Sequence, residues 1–323
     1  SVEVRKERLT SIAPMVLRNL EQSAEFYDPN TALLDAINTA IALEKPLFLT
    51  GEPGVGKTQA ASYIAQYFNI PLHKMSVRST SAALDLLYTF DAVGYYRDAQ
   101  LPRSAGDQPT IDRSDYIIPG PLWEAIRADP AAVLLVDEID KAPRDFSNDL
   151  LDALDQFRFS VPELKYADTD RIQKNPRLQG LQLNENSQQW SVHRHSGQRA
   201  PIVVLTSNAE NRLPEPFLRR CIFHEIRFDQ NHLHRVLTKR QARLEATDHL
   251  VDRVIERAME LRDHRPLLKK PPSTAEILEW LYLLAKDPKD AHKLNGPLAA
   301  LPYLEVLLKT KEDVKIIKKD EAP

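Results

Sequence analysis

The sequence predicts a three-layer α/β domain, built on a parallel sheet, followed by a small all-α lid domain. Three observations carry that prediction. Short apolar runs alternate with amphipathic helical stretches as far as about residue 229. One such run, Pro46-Leu47-Phe48-Leu49-Thr50, leads straight into a glycine-rich turn and then a helix. From Asn231 onward only helical patterns remain. The expected division is an α/β domain over 1–229 and a helical lid over 230–323.

Each element follows from its residues. Asn30 to Glu44 sets Leu33, Leu34, Ile37, Ile41 and Leu43 at helical spacing, and Thr58 to Phe68 does the same with Ala61, Ile64, Ala65 and Phe68. Ile70 to Val77 reads as a strand. Ser79 to Phe90 reads as a helix that gives way to a polar, tyrosine-containing stretch ending at Ser114. Ala132-Val133-Leu134-Leu135-Val136 is apolar throughout, the pattern of a central parallel strand covered on both faces. A helix is expected over Phe146–Phe157. Residues 162–200 are polar with little periodicity, an insertion that reads either as a β-hairpin or as a loop. Pro201–Thr206 is the next central strand. In the lid, patterns at Leu233–Leu244, Leu250–Leu261 and Thr274–Leu284 precede a last helix over Pro302–Lys318.

Composition narrows the function classes. A hydrophobic fraction of 42% with 28% charged residues is ordinary for a globular protein. The formal net charge of -3 gives no global positive field for nucleic acid. Cys221 is the one cysteine, which rules out an internal disulfide and fits a reducing, cytoplasmic setting. No apolar stretch reaches the roughly 18 to 20 residues of a membrane span, and the first residues lack the apolar segment of a secretory signal.

The chemistry begins at Gly51-Glu52-Pro53-Gly54-Val55-Gly56-Lys57-Thr58, which fits the phosphate-loop pattern at every required position. Glycines let the backbone curl until its N–H groups point at phosphate oxygens, and the following helix adds its positive end. Lys57 then sits as a point charge on the β- and γ-phosphates, Thr58 ligates Mg²⁺, and Gln59 completes the nucleotide-binding set. A glycine-rich turn that binds nothing is the plain alternative, opposed by the strand before it and the helix after it. Val133-Leu134-Leu135-Val136-Asp137-Glu138 brings two carboxylates to the end of a buried strand, the edge where α/β sheets bind ligands. Asp137 is expected to hold the metal through water and Glu138 to polarise the attacking water. Asn208, in Thr206-Ser207-Asn208, ends the neighbouring strand and is suited to orient that water.

The ordered set GEPGVGKT, VLLVDEIDKAP, TSNAE and LPEPFLRRC closely resembles the MoxR-like branch of the AAA+ ATPases. The resemblance spans roughly residues 26 to 310 and includes connecting phrases such as Gly120-Pro121-Leu122-Trp123. It implies ATP and Mg²⁺ as cofactors, ATP hydrolysis, and Asn208 as the sensor-1 residue. It also implies that Arg219 and Arg220 occupy the arginine-finger position, Arg220 aligning best, and reach the neighbouring subunit's nucleotide. A finger supplied in trans requires a homo-oligomeric ring, hexameric in that family. The implied partner is a protein, often one with a von Willebrand factor A domain, remodelled or assembled in chaperone-like fashion. One departure stands out. Many relatives open the lid's third helix with an arginine that touches the γ-phosphate, whereas Pro271-Pro272-Ser273-Thr274-Ala275-Glu276 has none and Lys269 and Lys270 lie just before it.

Two further readings stay open. A nucleic-acid or defence-system motor, similar to McrB-like relatives, would draw on Arg97, Arg103, Arg113, Lys165, Arg171, Lys174 and Arg177 in the segments expected to line a channel. A nucleotide-gated scaffold that assembles but barely turns over is supported by the missing lid arginine and opposed by Glu138. Ser79–Tyr96, with Leu86, Leu87, Tyr88 and Phe90, reads as a substrate-gripping pore loop or, at helical spacing, as core. Cys221, His224, His232 and His234 loosely mimic zinc spacing, but His232 and His234 would point to different helix faces. His193 and His195 read as solvated, and the mixed-sign run Lys309–Glu321 as an exposed helix face.

Overall fold

The computed structural model describes residues 24, 26–100, 111–164, 169–184, 188–195, 197–208, 213–263 and 267–320. Arg103, Lys165, Ala209 and Glu210, all singled out above, lie outside the described residues. In chain order, the first part runs α1 (Thr31–Ala42), β1 (Leu47–Thr50), α2 (Lys57–Phe68), β2 (Leu72–Ser76), α3 (Ala83–Leu87), β3 (Tyr88–Phe90) and α4 (Ala92–Gln100). Next come β4 (Ile117–Pro119), α5 (Pro121–Arg127), β5 (Val133–Asp137), α6 (Arg144–Gln156), β6 (Arg158–Ser160) and α7 (Thr169–Lys174). Then follow β7 (Leu181–Asn184), β8 (Gln189–His193), β9 (Ile202–Thr206), α8 (Glu215–Leu218) and β10 (Ile222–Glu225). The last part is helical: α9 (Gln230–Leu244), α10 (Asp248–Asp263), α11 (Thr274–Lys286), α12 (Pro288–Ala291), α13 (Leu304–Leu307) and α14 (Lys311–Asp320).

One compact unit comprises Ala32–Thr50 and Ile64–Glu225. Its main sheet has five strands in the order β10-β1-β9-β5-β2, and every neighbour pair is parallel. Parallel pairing demands crossovers, and the intervening helices supply them. All residues of β1 and β5 are buried, which explains their unbroken apolar sequences. The core gathers Phe48, Leu134, Val136 and Leu205 from the sheet with Trp123, Leu150 and Phe157 from α5, α6 and the residue after α6. Because β1, β9 and β5 run the same way, their C-terminal ends at Thr50, Thr206 and Asp137 share one sheet edge. Within residues 162–200, β7 and β8 form an antiparallel hairpin, and β8 also pairs with β6.

The structure corrects the expected helix over Ser79–Phe90. It shortens to Ala83–Leu87, and Tyr88-Thr89-Phe90 becomes β3, paired antiparallel with β4. Asp85 accepts from the Ala82 N–H and fixes the helix start. The aromatic and β-branched residues that follow favour a strand once β4 offers pairing. The pore-loop reading of Leu86 and Tyr88 fails with it, since both are buried, while Leu87 and Phe90 pack against the same core. The expected last helix also splits, into α13 and α14: Leu308 is extended, and Thr310 Oγ1 accepts from the Asp313 N–H to start α14 afresh.

The other compact unit comprises Ile226–Pro323, Gly51–Tyr63 and the described residues up to Thr31. Its core is helical, centred on Leu237, Val254, Ile277, Trp280 and Leu307. Asp229 caps α9 by accepting from the Asn231 and His232 N–H groups. Ser273 and Glu276 form a reciprocal capping box that starts α11. The glycine-rich loop groups with these helices rather than with the sheet, and α2 begins here. Among the described residues no helix is long and apolar enough to cross a membrane.

Candidate active site

The loop Gly51–Thr58 is built as a cradle. Gly51, Gly54 and Gly56 have φ values of +140°, +78° and +98°, the region open to glycine. Space enforces the same choice. A Cβ on Gly51 would lie 2.2 Å from the Ile226 carbonyl oxygen, and one on Gly54 would lie 2.4 Å from Ser273 Oγ. Lys57 is buried, and its ammonium donates to the Gly51 and Glu52 carbonyl oxygens at 2.8 and 2.9 Å. The loop therefore carries a positive charge at its centre, and α2 starts at that residue, which adds the positive end of a helix. Such a cradle fits a phosphate chain. Thr58 follows on the first turn and offers one hydroxyl oxygen.

Beside the loop lies a cavity of about 630 Å³ lined by Tyr27, Val55, Gly56, Arg240, Leu278 and Tyr282 among others. Tyr27 packs on Gly56, where a Cβ would stand 3.0 Å from the ring, and tilts against the Tyr63 ring at 5.6 Å between centroids. Arg240 is buried, which pushes its pKa down to about 10, and its guanidinium lies 5.3 Å from the Phe26 ring centroid. Apolar walls with a few polar groups, at this size and next to a phosphate cradle, suit a flat heterocyclic base. The sequence reading included Val55 and Gly56 in the nucleotide-binding set but missed Tyr27, Arg240, Leu278 and Tyr282. Leu278 and Tyr282, four apart on α11, carry only the signature of a helix core.

Glu52 of the loop has a partner that was also missed. Arg262 of α10 is buried and donates to Glu52 Oε2 at 2.9 Å and to the Pro272 carbonyl, with its guanidinium 3.6 Å from the Phe228 ring centroid. An arginine does reach the loop, then, from a different helix than the resemblance implies, and it meets a loop carboxylate. Lys269 and Lys270 are exposed.

The acid pair sits at the sheet edge of the other unit. Asp137 Oδ1 accepts from Thr206 Oγ1 at 2.7 Å, and Oδ2 accepts from the Lys74 ammonium at 2.8 Å. The Glu138 N–H donates to the same Thr206 oxygen at 2.9 Å, so one buried hydroxyl aligns both acids. Glu138 takes a left-handed conformation, φ 60° and ψ 46°, which ends the strand abruptly and turns its side chain out of the sheet pattern. Its carboxylate accepts from Lys141 at 2.6 Å, and that hydrogen bond holds the Lys141 ammonium above its usual range. The Asn208 N–H donates to Asp140 Oδ1 at 3.2 Å. Asp137, Glu138 and Asn208 are thus gathered where β5 and β9 end.

Arg219 and Arg220 close α8. Arg219 pairs with Glu215 and leaves 75% of its side chain exposed, whereas Arg220 is bound to Asp155 of α6 and to the Pro216 carbonyl at 2.8 Å. The more exposed of the two is the one that aligned less well. Among the described residues no group of three or more His, Cys, Asp or Glu could hold a metal. Asp137 offers one carboxylate, which suits Mg²⁺ carried mainly by phosphates and water. Cys221 is pushed up to about 12 by burial, which leaves it an inert thiol.

Of the channel cations in the described residues, Lys174 and Arg177 are exposed, Arg97 pairs with Asp98, Arg171 with Asp115, and Arg113 lies over the Tyr95 ring at 5.7 Å. Tyr95 in turn contacts Phe90, Tyr96 and Tyr116, while Val93 and Tyr96 stand 81% and 63% exposed on α4.

A family model described as AAA domain (dynein-related subfamily) matches residues 46–221, more than half of the chain. A solved structure titled as the Thermotoga maritima RuvB Holliday junction branch migration motor is similar at 11% identity and a TM-score of 0.39, over 90% of this chain and 67% of that one.

Proposed function

The chain belongs to the dynein-related subfamily of AAA domains, and from that premise we propose that it is an ATPase whose subunits form a ring that remodels a protein partner. The observation that carries the reading is that one chain holds both a complete phosphate cradle, Gly51–Thr58 around buried Lys57, and an acid pair aligned by one buried hydroxyl. Lys57 neutralises the phosphates, and the loop N–H groups orient them. Tyr27, Leu278 and Tyr282 line the cavity that would take the base. Thr58 and Asp137 would hold Mg²⁺, which when bound supplies charge neutralisation to the phosphate chain. Glu138, once released by Lys141, accepts a proton from the attacking water, and Asn208 holds that water in line.

The finer assignment is a MoxR-like, chaperone-like role with a hexameric ring, supported by the four ordered motifs. Arg219 supplies charge to a neighbour's nucleotide, supported by its exposure. A protein partner suits α4, whose exposed Val93 and Tyr96 carry apolar surface, while Arg97 and Arg171 each pair with a carboxylate. Subunit mixing tests the shared site. A Lys57→Ala chain and an Arg219→Ala/Arg220→Ala chain should each be inactive and should regain turnover when mixed. No recovery at concentrations where both assemble would sink the shared-site reading.

A further inference from the structure

Asp137 and Glu138 both touch a lysine of their own unit, but the two pairs differ in kind. In the Lys141–Glu138 pair the side chains are 49% and 39% exposed, so water screens it and it holds little. In the Lys74–Asp137 pair they are 30% and 12% exposed. There the carboxylate is nearly out of water, and a buried charge must be compensated. Lys74 lies on β2, in register with Leu135 of β5, two residues before Ser76, which pairs with Asp137 itself. Side chains two apart on a strand share a face, so the sheet itself presents the Lys74 amine to Asp137. With Thr206 on Oδ1 and Lys74 on Oδ2, each carboxylate oxygen already has a donor.

We propose that Lys74 is a built-in counter-ion of the metal-holding carboxylate, occupying Asp137 Oδ2 until a nucleotide-borne divalent cation takes its place. The inference rests on the reading of Asp137 as the metal residue. Its consequence is a gate: with Lys74 in place, Asp137 has no excess charge to draw a free cation, and metal enters only together with nucleotide. Lys74 is a positioning residue, since it acts through Asp137.

The test reads binding and stability rather than turnover. Without nucleotide, the thermal midpoint of the wild-type chain should not respond to millimolar Mg²⁺, whereas that of Lys74→Met should rise. A rise in the wild type would by itself overturn the proposal. The affinity for a fluorescent ADP is then measured with and without Mg²⁺. The gain on adding metal should be at least about tenfold larger in Lys74→Met than in the wild type, the scale of one charge-assisted hydrogen bond in a competing equilibrium. Lys74→Gln, which keeps a donor without the charge, is the second variant and should show the same gain, and Lys74→Arg should behave as wild type. Adding Asp137→Asn to Lys74→Met should abolish the excess. Equal metal gains in all variants would overturn the role of Lys74 while leaving the ATPase reading intact. Absence of ADP binding in folded wild type would instead remove the ATPase reading.

Discussion

Replacing Thr206 with valine deletes one hydroxyl and keeps the shape of a side chain that is 1% exposed. That hydroxyl does two things. It donates to Asp137 Oδ1 at 2.7 Å and accepts from the Glu138 N–H at 2.9 Å. The first bond ends on a carboxylate, and losing a bond of that kind removes about 1.5 to 3 kcal/mol. The second leaves a backbone N–H short of a partner, worth about 1 kcal/mol here because Glu138 is partly solvated and water takes up some of the loss. The sum is roughly 2.5 to 4 kcal/mol of unfolding free energy, read by urea denaturation. Thr206→Ser keeps both bonds and loses only a methyl group, about 1 kcal/mol. ATP turnover should follow the same order, nearly intact in serine and depressed in valine. If valine and serine unfolded within about 0.5 kcal/mol of each other, the hydroxyl would not be aligning the acids and the reasoning would be wrong.

Four other outcomes are expected. Lys57→Met should weaken ATP binding by on the order of 100-fold in a fluorescence titration, since the buried ammonium at the cradle's centre is lost. Arg262→Met strips Glu52 of its cation and should destabilise the chain by about 3 kcal/mol in denaturant, with Arg262→Lys failing to restore it because the stacked guanidinium is not replaced. Arg219→Ala should leave the thermal midpoint unchanged yet reduce turnover of the assembled ring by about 1000-fold. His73, His224 and His232 are each held below the usual imidazole range chiefly by burial. With depressed folded values, the unfolded chain binds protons that the folded chain refuses. Stability present above about pH 6.5 is therefore lost as pH falls below it, and His232→Gln should remove part of that fall in a series of thermal midpoints.

Much of the fold was legible because local and global demands agree. Pro46 to Phe68 reads as strand, loop and helix since its apolar period, its glycines and its helix-forming residues all point the same way. Val133 to Asp137 was readable for the same reason: a strand buried on both faces leaves an unbroken apolar run. Ser79–Phe90 misled because Leu84, Leu87 and Tyr88 fall at helical spacing while the pairing of Tyr88–Phe90 with Ile117–Pro119 is set some 30 residues away. The last helix misled because nothing periodic marks the break at Leu308. At the site, the loop and the acid pair were visible as contiguous motifs. Lys74, Thr206, Arg262 and Tyr27 were not, since each acquires its role through a contact across the fold. Lys74 is one polar residue in an otherwise plain strand, and Arg262 looks like any basic residue near a helix end.

Phosphate release from wild type and Glu138→Gln at ring-forming concentration decides whether Asp137 and Glu138 make the phosphate loop hydrolytic. Wild type should turn over measurably, and Glu138→Gln should be at least about 100-fold slower while still binding ATP. A wild type as slow as Glu138→Gln, with ATP bound to both, would contradict that role.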